Sequence, residues 1–166
     1  MLPFQLLIEN KIVELQYKLW HRIIGTNKLL YSMGKNNSPN CVNCLMYKES
    51  ISHLFFYCSY VRNFWIELID MFCKCKSVRI ELTCKDVLLF TAIDNENVYK
   101  LINIIILYGK SYIYKSKMQC IIPSLISFVK YMIAKIRILR SLNHNILGNE
   151  YLQLYEFIDY VTILVY

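Results

Sequence analysis

The residues best equipped for chemistry lie close together. Residues 38–58 read SPNCVNCLMYKESISHLFFYC, and within them Cys41, Cys44, His53 and Cys58 form the pattern Cys-x2-Cys-x8-His-x4-Cys. Three thiolates and an imidazole suit a tetrahedral zinc ion, and four protein ligands make a closed, structural site rather than a catalytic one. Two cysteines two residues apart can both face inward from a tight loop. The eight residues before His53 then let the chain return to the same point. Gly34, Asn36, Asn37, Ser38, Pro39 and Asn40 are turn formers and lead into the segment. Zn2+ is therefore the expected cofactor. A redox role for Cys41 and Cys44 is the rival reading, but the βαβ context of such pairs is missing. The plainer alternative is an incidental Cys-x2-Cys beside an ordinary half-buried histidine. It would require four potential ligands to gather by chance within eighteen residues.

The remaining candidates are weaker. The cysteine count is seven, which is odd, so a disulfide framework is not expected. Cys73, Cys75, Cys84 and Cys120 read as packing residues, and His21 and His144 as structural or exposed. The sequence has no Gly-x-Gly-x-x-Gly, phosphate loop or Gly-x-Ser-x-Gly, and only four glycines. No Asp-Asp pair occurs, so neither a polymerase nor a nuclease centre is expected in this chain. It reads as a non-enzyme with no small-molecule substrate.

The second signal is charge. The net charge is +7, and residues 110–140 hold seven Lys/Arg and no acid. Residues 141–166 hold three acids and no Lys/Arg. An acid-free basic stretch attracts phosphate backbones. Lys110, Lys115, Lys117, Lys130, Arg137 and Arg140 are the candidate contacts to RNA or DNA. Tyr112 and Tyr114 are candidates for stacking on bases, against a simpler reading of each as core. A solvated helix face is the alternative for the whole stretch.

These residues have to be carried by helices. Ile8, Ile12, Leu15, Leu19 and Ile23 fall at helical spacing over 5–24, with Gly25 expected to end the helix. Ser52 is the expected cap of a helical turn at His53. Ser59 opens a helix to about Lys74, with Val61, Phe64, Trp65, Leu68, Ile69 and Phe72 on its buried face. A short helix is expected at 85–90. Asp94, Asn95 and Glu96 open a long one striped by Leu101, Ile105, Tyr108 and Tyr112. Pro123 suits the first turn of the next, whose core face is Leu125, Phe128, Val129, Met132, Ile136 and Leu139. After Gly148–Asn149 a last helix runs from about Glu150 to Val165, with a strand at 160–166 as the alternative.

The fold class is thus mainly α: a helical domain with a small zinc-knuckle-like CCHC module inserted near residues 38–58. The expected divisions are a helical segment at 1–37, the CCHC module and following helix at 38–75, and a basic helical region at 76–166. Although 56% of residues are hydrophobic, the runs 101–109 and 119–129 reach about half the ~20 residues of a membrane span. The first charge is acidic, and no apolar run ends in a cleavage-site pattern. An intracellular location, nuclear or cytoplasmic, is the expectation, with no secretion and no membrane partner.

Three segments resemble a known family. They are LQYKLWHRIIGTNKLLYSMG (Leu15–Gly34), SPNCVNCLMYKESISHLFFYCSYVRNFW (Ser38–Trp65) and LYGKSYIYKSKMQCIIPSLISFVKYM (Leu107–Met132). Together they are similar to the reverse transcriptase zinc-binding domain, in the C-terminal region of non-LTR (LINE-type) retrotransposon polyproteins. The resemblance implies Cys41, Cys44, His53 and Cys58 as ligands and a role in retrotransposition. It also implies contact with element RNA or target DNA, beside upstream endonuclease and polymerase domains. The chain then reads as a fragment or a decayed copy. A protein-interaction role, docking on the upstream polymerase, is the alternative function.

Overall fold

A computed structural model describes residues 10–90, 96–142 and 149–165. Among the described residues seven α-helices and one π-helical turn succeed one another: α1 (Asn10–Trp20), α2 (Asn27–Ser32), the π turn (His53–Tyr57), α3 (Ser59–Lys76), α4 (Cys84–Leu89), α5 (Glu96–Met118), α6 (Leu125–Leu142) and α7 (Asn149–Val165). Among the described residues there is no strand, only an isolated antiparallel bridge between Asn40 and Lys48. The terminal segment is helical through Val165. No described helix is long and apolar enough to cross a membrane.

Helix α5 is the centre of the structure. The expected stripe of Leu101, Ile105, Tyr108 and Tyr112 is buried, but so are Ile102, Ile104, Ile106, Leu107 and Ile113. A helix covered on all sides needs apolar residues all round, which a single stripe underestimates. α1, α6, α7 and the π turn pack around it. The Trp65 indole of α3 closes on Gly109, where an added Cβ would sit 2.5 Å from it. α3 buries the expected six residues, with Phe64 at 5.4 Å from Phe128 of α6 and Phe72 at 5.6 Å from Phe157 of α7. One continuous core draws on residues from Ile12 to Val161.

Several boundaries differ from expectation. α1 stops at Trp20, not at Gly25. Arg22 takes the left-handed conformation at φ 57°, its N–H donating to Leu19 O and that of Ile23 to Lys18 O. This is the Schellman pattern of helix ends. Gly25 serves another purpose: an added Cβ would lie 3.3 Å from the Tyr114 hydroxyl. The chain then winds into α2, which periodicity alone did not suggest, capped by the Thr26 hydroxyl. Thr83 and Asp86 form a capping box for α4. Pro123 precedes α6 rather than standing in its first turn, and Ser124 caps the helix, its hydroxyl accepting from Ser127 N–H. Expectations concerning Ile8, Asp94, Asn95, His144, Gly148 and the side chain of Leu139 lie outside the described residues.

Candidate metal centre

Cys41, Cys44, His53 and Cys58 converge, with one ligand atom from each lying within 4.8 Å of the other three. The Cys41 and Cys58 sulfurs are 3.8 Å apart, and Cys44 Sγ is 3.3 Å from His53 Nε2. A zinc–sulfur bond of ~2.3 Å in a tetrahedron places sulfurs about 3.8 Å apart. The spacing thus fits a four-coordinate ion of zinc's size, and the donor set fits its softness. Cys41 and Cys58 are fully buried and His53 nearly so, with Cys44 half-buried at the rim.

Each ligand is positioned by a local device. The first two sit on a tight loop in which Leu45 N–H donates to Cys41 O and Cys41 N–H to Tyr47 O. Leu45 closes that loop in the left-handed region at φ 58°. His53 and Cys58 flank the π turn, where Cys58 N–H donates to His53 O at 2.9 Å. In an α-helix, residues five apart point about 140° away from each other. The wider π winding draws the two side chains toward one point, in keeping with π turns at functional sites. Ser50, not Ser52, caps the turn, its hydroxyl accepting from His53 N–H at 3.1 Å. Trp65 Nε1–H donates to Phe55 O inside the turn at 2.7 Å, tying it to the core.

The electrostatics divide the two buried thiols, favouring thiolate at Cys58 and thiol at Cys41. The Cys41–Cys58 hydrogen bond and burial push Cys41 up, while the same hydrogen bond draws Cys58 down. The N–H groups of Tyr60 and Val61, at the start of α3, lower Cys58 further. Those of Cys44 and Asn43 act likewise on Cys41. Cys58 stands at the N-cap of an 18-residue helix, where negative charge is stabilised.

Glu49 is a structural residue that sequence reasoning missed. It is fully buried between two ligand segments. Its Oε1 accepts from Asn27 N–H at 2.8 Å and from Lys117 Nζ at 2.7 Å, while Lys117 also donates to Gly25 O. Oε2 has no partner. Asn27 Nδ2–H donates to Asn40 O at 2.7 Å. The metal loop is thereby fastened to both α2 and α5. One signal was available: Glu49 is the sole acid between Glu14 and Glu67.

The basic candidates divide. Lys110 and Lys117, expected at a phosphate-binding surface, are instead core residues, 1% and 6% exposed. Lys110 Nζ donates to Gln16 Oε1 and lies 4.4 Å from the Phe90 ring centroid. Desolvation draws its pKa down to about 7. Lys115, Lys130 and Arg137 are exposed, and the side chain of Arg140 lies outside the described residues. Lys115 and half-buried Lys135 lie 5.3 and 5.6 Å from the Tyr131 ring. Tyr112 is core, packed on Phe64 and Phe128, and its hydroxyl bonds the backbone of Ser124. Tyr114 is half-buried.

Among known proteins, no curated protein and no solved structure matches the chain. A family model does match, over residues 3–65, and its description is zinc-binding in reverse transcriptase. The match contains all four converging residues and ends at Trp65. The similar segment at 107–132 falls beyond it. Residues 3–65 of this chain are thus similar to the zinc-binding domain found in reverse transcriptases.

Proposed function

We propose that Cys41, Cys44, His53 and Cys58 hold one Zn2+, and that the chain is a non-catalytic accessory domain contacting nucleic acid beside a retrotransposon reverse transcriptase. The convergence of four donors within 4.8 Å carries the reading. When bound, zinc supplies cross-linking of loop and turn rather than reaction chemistry, because the shell is closed. Lys115, Lys130 and Arg137 form the phosphate-contacting part of α5 and α6, with Arg140 one turn further along α6. A second reading, docking on the polymerase, draws on Leu45, Met46 and Tyr47 at the tip of the metal loop, 71%, 74% and 61% exposed.

Native mass spectrometry of the purified chain tests the metal. One zinc per chain is expected, lost on Cys41→Ser or Cys58→Ser. A chain that folds equally well without metal overturns the reading. Fluorescence anisotropy with labelled RNA and DNA tests the partner, and affinity should fall steeply with added salt. Weakened binding on charge reversal at Lys130 and Arg137 supports contact through α6, and a chain that binds neither RNA nor DNA favours docking.

A further inference from the structure

We infer that the cleft between α1, α2 and α4 is a nucleic-acid site of its own, whose occupant is a short single-stranded segment. This rests on the nucleic-acid reading above but places the main contact on the opposite side of the sequence from 110–140. The cleft has a volume of about 800 Å³, within the ~300–1,000 Å³ range of ligand pockets. Its floor is apolar, made by Leu19, Trp20, Leu29 and Leu88. Its cations are Arg22, Lys28 and Lys85, all exposed. Ser32, Ser50 and Ser52 add hydroxyls, and no carboxylate is among the described lining residues.

A second cleft, of about 550 Å³ along α3, contrasts with it: there Asp70 and Glu81 face Arg62 and Arg79, so the charges offset one another. Around the metal loop the one acid between Glu14 and Glu67 is Glu49, and it is buried against Lys117. No carboxylate of residues 15–66 therefore reaches the surface to repel a phosphate. Arg22, the left-handed residue that ends α1, is one of the exposed cations lining the cleft.

A single strand matches both halves of the lining. Its phosphates meet Arg22, Lys28 and Lys85, and its unpaired bases meet the apolar floor and the Trp20 ring. A duplex keeps its bases stacked inside and offers the floor nothing. The wall formed by Ser50, Ile51 and Ser52 directly precedes the ligand His53. Metal binding thus fixes one side of the cleft.

The test uses the full zinc-loaded chain with fluorescein-labelled oligo-dT and oligo-U. Replacing Arg22, Lys28 and Lys85 by Gln should weaken binding about tenfold at low salt. It should also reduce the slope of log affinity against log salt by about 2, at ~0.7 per phosphate contact on a single strand. Binding lost only on charge reversal of Lys130 and Arg137 overturns the cleft while leaving the nucleic-acid reading intact. Failure of both oligonucleotides to bind removes that reading and the cleft with it. Equal competition by a duplex overturns the occupant. Photo-crosslinking of the unsubstituted chain with a 4-thiopyrimidine strand is the check that needs no variant. Adducts within residues 20–32 or 84–89 support the site, and adducts confined to other peptides refute it.

Discussion

The metal loop and the basic stretch of α5 and α6 are both compact in sequence, yet folding treated them differently. Cys41, Cys44, His53 and Cys58 met at one point as their spacing implied. The seven cations of 110–140 did not stay together: Lys110 and Lys117 turned into the core. Ligand spacing encodes a short-range geometry, since a loop and one helical turn suffice to close the shell. A run of like charge encodes no direction. A helix distributes consecutive residues around its axis, and α5 is covered on nearly every side. Counting charge along a central helix therefore overstates the charge of its surface.

Removing the metal should produce the largest effect and would break the comparison at its stronger side. Structural zinc contributes ~10–16 kcal/mol in small finger peptides, although this chain has a helical core besides. Chelation should unfold the loop and π turn, lower the melting temperature, and release Cys41, Cys44 and Cys58 to a thiol reagent. Cys41 and Cys58 are fully buried, whereas Cys120 is exposed and reacts first. An unchanged count of fast-reacting thiols after chelation would show that the shell is held by packing alone.

Next in size is the Glu49–Lys117 pair, which joins the two regions. Lys117→Met leaves a fully buried carboxylate with the Asn27 N–H as its one donor among the described residues. Breaking a buried pair from one side costs about 3–5 kcal/mol. Adding Glu49→Gln should restore most of that loss, because the amide oxygen still accepts from Asn27 and no charge is stranded. Urea unfolding of the single and double variants measures it. A double variant as unstable as Lys117→Met would mean that the lysine's packing, not its charge, matters.

The limits of legibility follow the same division. The buried face of α3 and the ligand set were readable, since both rest on local periodicity or spacing. The pairing of Glu49 with Lys117 spans 68 positions and leaves no periodic trace. The end of α1 was misplaced because glycine is the usual left-handed residue, and here Arg22 takes that conformation while Gly25 admits Tyr114. The π turn was read as an ordinary helical turn, because its extra residue is dictated by bringing His53 and Cys58 together.

Lys110 offers a smaller effect that depends on pH. Its pKa stands near 7 in the folded chain because burial disfavours the charge, against about 10.4 when unfolded. Between those values the unfolded chain holds a proton that the folded chain has released. Stability should therefore rise with pH across that window and be lowest below it. At about 1.4 kcal/mol per pKa unit the span is a few kcal/mol. Lys110→Met should flatten this dependence at constant metal loading, with its advantage greatest near pH 7 and fading toward 10. Equal slopes for both proteins would mean that Lys110 keeps its charge in the core.

The smallest stability effect is expected at the residues left on the surface, and its smallness sharpens the contrast. Lys130 and Arg137 are exposed on α6, so charge reversal there should change folding stability by no more than ~0.5 kcal/mol. If they meet phosphates, the same variant should lower the salt slope of nucleic-acid binding by about 0.7 per contact on a single strand. The two readouts separate what the linear charge count had merged. A core lysine shows itself in unfolding and an interface cation in salt-dependent affinity. A marked loss of stability on reversing Lys130 and Arg137 would show that the exposed end of the stretch is structural too, and would leave the cleft beside the metal loop as the remaining candidate for phosphate contact.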